Sequence, residues 1–87
     1  MPRAISMRHT VVPSAEREAF RNRARDTRAH YAGAGCRYWL YEEDALPGAY
    51  VEFYEAADRA TLVKAHESRQ EQAQLASRLY IEVDVNN

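Results

Sequence analysis

His66 and His9 are the side chains of this sequence best suited to moving a proton, because a neutral imidazole can act as a general base near pH 7. His66 shares a helical stripe with Leu62, Val63, Ala65 and Ala73, so its spacing points it inward although it is polar. His9 alternates with Ile5, Met7 and Val11, which puts it on the apolar face of a predicted strand. Two neutral imidazoles in a half-apolar slot can accept a proton. Two adjacent imidazoliums repel, so activity at such a site would fall with pH. The plainer alternative is that both only pack, His66 as a partly buried helix residue and His9 as a core histidine with its hydrogen bonds made. Cys36, the one cysteine, has no obvious activating base and reads as a small core residue. Being alone, it excludes an intrachain disulfide and a cysteine-based structural zinc site. The chain has no Gly-rich phosphate loop, serine-nucleophile elbow or His-Glu-x-x-His helix, so phosphoryl transfer, acyl transfer and zinc hydrolysis lose support.

Turn and cap residues delimit the elements that carry these side chains. Arg3 to Val12 alternates as a strand and stops at Pro13. Ser14 predicts an N-cap, with Glu16 and Glu18 near the positive end of the helix dipole. That helix runs to Ala32, buries Phe20, Ala24, Thr27 and Tyr31, and is stopped by Gly33 and Gly35. Its basic ridge of Arg17, Arg21, Arg25 and Arg28 reads as a solvated face, since Glu16, Glu18 and Asp26 can pair with it. Cys36 to Glu42 and Ala49 to Glu55 form a hairpin around a turn punctuated by Pro47-Gly48. Asp58 caps a second helix reaching Ala76, Arg78 to Val85 is the last strand, and Asn86 and Asn87 form a tail. The order β-α-β-β-α-β predicts one α+β domain over residues 1–87, a ferredoxin-like fold with sheet order 4-1-3-2 and both helices on one face. The second helix then lies over the first strand and brings His66 toward His9.

Alternation splits the strand residues into two sets. Ile5, Met7, His9 and Val11, with Cys36, Tyr38, Leu40, Val51, Phe53, Leu79, Ile81, Val83 and Val85, form the predicted core. Arg8, Trp39, Tyr41, Tyr50, Glu52, Tyr54, Tyr80, Glu82 and Asp84 form the opposite face. A face so rich in aromatics is not left in water, so a second cover is expected. The first strand is central, which sets Arg8 between Glu52 on one side and Glu82 or Asp84 on the other. The simplest cover is a second copy of the chain. Two-fold dimers are the commonest oligomers, and a domain of this size buries only about 60–65% of its unfolded surface. The predicted homodimer interface is Arg8, Trp39, Tyr41, Tyr50, Glu52, Tyr54 and Tyr80, with a larger partner protein as the alternative cover. Nucleic acid fits poorly, because the net charge is −1 and Glu52, Glu82 and Asp84 would repel phosphates. No stretch approaches about 20 apolar residues and the first residues form no apolar h-region, which predicts a cytoplasmic protein without a membrane partner.

A family likeness is carried by Gly35-Cys36-Arg37-Tyr38-Trp39-Leu40-Tyr41, Leu46-Pro47-Gly48, Tyr50-Val51-Glu52-Phe53-Tyr54-Glu55, Ala60-Thr61-Leu62 and Ala65-His66-Glu67-Ser68. With these segments the whole domain resembles the dimeric α+β-barrel superfamily, and within it the antibiotic-biosynthesis-monooxygenase-like group. The resemblance implies a homodimer whose two sheets form a barrel, with a pocket in each protomer between sheet and helices. Some members oxygenate polycyclic phenols without metal or flavin, others bind and degrade haem, and many have no known activity. His66 matches the family's helix-two histidine, and Tyr54 stands where active members often carry a Trp. The first strand lacks the family's Asn, and His9 and Arg8 are its nearest polar residues. By this likeness His66, with His9 or Tyr54, would take a phenolic proton and leave a carbanion that reacts with oxygen. Trp39, Phe53 and Leu62 would contact the substrate, and no cofactor is implied, with haem as the alternative. The competing expectation is a non-catalytic ligand-binding or structural dimer. An open pocket holding both histidines favours the enzyme, and a filled slot favours the alternative.

Overall fold

The computed structural model describes residues 2–86, so Asn87 of the expected tail lies outside it. Strand β1 (Ala4–Val11) leads through a 3-10 turn (Ser14–Glu16) into helix α1 (Arg17–Gly33). The hairpin β2 (Arg37–Glu42) and β3 (Ala49–Ala56) follows, then helix α2 (Arg59–Glu67), a 3-10 segment (Gln70–Ser77) and β4 (Tyr80–Ile81). The sheet is antiparallel in the order β2-β3-β1-β4, an α+β arrangement compatible with a ferredoxin-like fold.

Local chemistry accounts for the boundaries. Pro13 rather than Ser14 precedes the first helical turn, and no side chain caps it. At the other end of α1, Gly35 adopts φ 79 and the Cys36 N–H reaches the Tyr31 carbonyl at 2.8 Å, which closes the helix. Gly48 turns the hairpin at φ 92, where a Cβ would stand 2.7 Å from the Val12 carbonyl oxygen, so only glycine fits. Asp58 caps α2 as expected, its Oδ1 accepting the Thr61 N–H at 2.8 Å. That helix does not continue to Ala76. The Ser68 hydroxyl donates to the Ala65 carbonyl at 2.6 Å and Arg69 is extended, so the chain restarts as a 3-10 segment. Residues three apart eclipse in that geometry, which is why Gln72 and Leu75 are both buried. The last strand is also shorter than predicted, because Ile81 already pairs with Ala4, the first residue of β1.

The face assignment is the main correction. The helices cover Ala4, Ser6, Tyr38, Tyr50, Glu52, Tyr54 and Ala56, not Ile5, Met7, His9, Val51 and Phe53. Tyr38 pairs with Tyr54 and Trp39 with Phe53, so β2 is shifted by one residue from the pairing implied by the two predicted sets. A one-residue slip exchanges the faces of a strand. Ala4, Ser6 and Ala56 let α2 approach the sheet closely, and Tyr31, Leu62, Ala65 and His66 fill the space above them. Consequently Arg8, Tyr50, Glu52 and Tyr54 lie under the helices and cannot form the interface predicted for them. Arg8 does pair with Glu52, its Nε and Nη2 donating to Oε1 at 3.0 and 2.9 Å. Glu82 instead pairs with Arg3 at 3.1 Å. The opposite face shows Ile5, Met7, His9, Val11, Trp39, Tyr41, Val51 and Phe53, with Tyr80 beside Ile5. Among the described residues no helix is long and apolar enough to cross a membrane.

Candidate functional site

His66 sits on the inner face of α2 and is fully buried. Its Nε2 lies 2.6 Å from Ser6 Oγ and its Nδ1 2.7 Å from Tyr31 OH. The rings of Tyr31 and Tyr54 stand edge-on to the imidazole at 5.4 and 5.0 Å. Burial, helped by the charge of Arg8, lowers the His66 pKa to about 4, so at neutral pH it is an uncharged ring. A neutral imidazole has one donor and one acceptor, and the two hydroxyls can meet either tautomer. Both ring nitrogens are therefore engaged, and His66 lines neither of the two main grooves.

A second polar group lies beside it. Both oxygens of Glu52 are used, one by Arg8 and the other by the Tyr38 hydroxyl at 2.6 Å. Burial and the neighbouring carboxylate push the phenols of Tyr38 and Tyr54 well above their ordinary range, so neither serves as a base. Among the described residues, the buried Tyr54 hydroxyl and Oε1 of Gln72 find no hydrogen-bond partner. Between α1 and the 3-10 segment a cleft of about 630 Å³ opens above this group. Arg8, Thr10 and Glu52 form its floor, with Phe20 and Thr27 on one wall and Gln72 on the other. Exposed Arg23, Asp26 and Glu71 at its rim mix both charge signs, so the cleft has no strong single-sign field.

Of the six residues proposed for a site, His66, Tyr54 and Leu62 meet in the core. His9, Trp39 and Phe53 line a different groove, of about 770 Å³, on the open sheet face. The slot expected to hold both histidines does not form. Ser6 reaches His66 from the covered face, and His9, three residues further along the strand, points to the other. Sequence reasoning missed Ser6 and Tyr31 as partners of His66, and Gln72 as a cleft residue. Tyr31 at the end of the α1 stripe was a usable signal, whereas nothing in its spacing marks Ser6. No group of three or more metal-ligating side chains occurs among the described residues. The chain matches no protein-family model, no curated protein and no solved structure.

Proposed function

We propose that this chain is a ferredoxin-like homodimer of the dimeric α+β-barrel type, stacked through its open sheet faces, and that each protomer binds a small molecule between α1 and the 3-10 segment without catalysis at His66. One observation carries this choice over an oxygenase of the antibiotic-biosynthesis-monooxygenase-like group: the helix-two histidine is sealed, with both nitrogens hydrogen-bonded inside the protein. A general base must reach the proton it removes. The open face supports the dimer. β1 and β3, each of 8 residues, run about 26 Å, β2 about 20 Å and β4 only about 7 Å, at a spacing of about 4.8 Å. That is on the order of 400 Å² in projection, and side-chain relief raises the accessible area toward the roughly 600 Å² per partner at the low end of specific interfaces.

Sedimentation at micromolar concentration should give twice the monomer mass of 10.0 kDa. Phe53→Glu, which sets a charge on the apolar face, should leave a folded monomer. A wild-type monomer, or a Phe53→Glu dimer, would remove the face-to-face arrangement. Oxygen uptake with hydroquinone as substrate should not exceed the uncatalysed rate. Turnover that disappears in a folded His66→Gln variant would restore the oxygenase.

A further inference from the structure

On the open face, most side chains near the middle of the three long strands are apolar: Met7, Trp39, Tyr41, Val51 and Phe53. His9 is the exception. It is exposed, pairs across the sheet with Val51, and lines the groove with Trp39 and Phe53. The charged groups on this face lie toward its ends. Glu43 follows β2 at one end, beside Glu42 at the groove margin. Arg37 and Glu55 pair with each other at 3.6 Å at the other end, where Arg3 also lies 4.0 Å from Glu55. From β1 the same-face neighbours of His9 are Met7 and Val11. From β3 they are Ala49, Val51 and Phe53, and from β2 the phenol of Tyr41. No carboxylate is paired with the His9 ring among the described residues.

We propose that His9 makes the face-to-face dimer sensitive to pH, the two copies separating as their His9 side chains become charged. The inference rests on the dimer proposed above. Stacking a second apolar face over His9 removes its water, and an imidazolium tolerates that loss far less than a neutral ring. Histidine is the side chain that changes charge between about pH 5 and 8. Each dimer carries two copies of His9, so their proton uptake compounds. Dissociation releases both rings to water, where they take up protons, and acid therefore favours the monomer.

Sedimentation equilibrium of the full chain at about pH 8 and about pH 5.5 tests this. The expected result is a Kd up to about a hundredfold weaker at the lower pH, the product of two roughly tenfold effects. His66, lowered to about 4, stays neutral over this window. His9→Leu should remain dimeric at both values, and His9→Gln should likewise lose the pH dependence; circular dichroism checks that each is folded. A Kd that does not change with pH overturns the inference while leaving the dimer. So does a shift that persists in both variants, or a dimer that tightens in acid, which would place a carboxylate of the second copy against His9. A monomer at both values removes the dimer itself, and the inference with it.

Discussion

Arg8→Glu should unfold the domain at room temperature. The Glu52 side chain is 3% exposed, and its Oε1 depends on Arg8 Nε and Nη2. Removing one partner of a buried ion pair costs about 3–5 kcal/mol. The reversal goes further, because it sets a second carboxylate beside Glu52 and breaks the 3.3 Å bond from Arg8 Nη1 to the Glu71 carbonyl. Domains of ordinary size have only about 5–15 kcal/mol of total stability, and a chain this short lies toward the lower end. Circular dichroism melts and urea titration should find the variant unfolded or barely folded. The double variant Arg8→Met/Glu52→Gln should recover most of the loss, since it removes both charges and keeps an acceptor for the Tyr38 hydroxyl. If Arg8→Glu melted within a few degrees of wild type, the pair would be solvated and the core described above would be wrong.

Acid should weaken the fold well before the carboxylates dominate. The unfolded chain binds a proton on residue 66 near pH 6.5, whereas the folded protein resists it down to about 4. Between those values the unfolded state holds more protons, so stability falls as the pH drops. The contribution is fully present above about 6.5 and is lost by the time the folded-state value is reached. A gap of this width corresponds to about 3 kcal/mol. Urea midpoints measured from neutral pH down to about 4 should trace the decline. His66→Gln, less stable overall, should show a flatter profile, and the difference between the two proteins isolates this residue from the others that titrate. Equal slopes in both would mean that His66 is already charged or solvated in the native state.

Much of the architecture was legible. The 3.6-residue spacing of Phe20, Ala24, Thr27 and Tyr31 identified the buried side of α1, and Pro47-Gly48 marked the hairpin. Asp58 announced its helix, and the strand order followed from the chain order through the handedness of crossovers. Which sheet face met the helices was not legible. Hydrophobicity ranks Ile5, Met7, Val51 and Phe53 above Ser6, Arg8, Glu52 and Tyr54, so alternation alone sends the first group inward. The polar group wins because its members satisfy one another: Arg8 and Tyr38 on Glu52, Ser6 and Tyr31 on His66. That pairing becomes visible only when the register is known, and no single residue carries it. The same error produced the supposed meeting of His9 and His66.

The chain has one tryptophan, Trp39, and it stands on the open face with the Arg37 guanidinium 4.7 Å above its ring. The tyrosines that contact each other in the interior, Tyr31, Tyr38 and Tyr54, lie on the other side of the sheet, where Tyr31 and Tyr54 flank His66. The sheet thus separates the one tryptophan from this interior tyrosine cluster, although Tyr41 and Tyr80 share its outer side. Tryptophan emission reports whether the outer face is wet or covered, and the near-ultraviolet dichroism of the tyrosine cluster reports whether the interior is ordered. Docking and folding can be followed as separate optical signals in unlabelled protein.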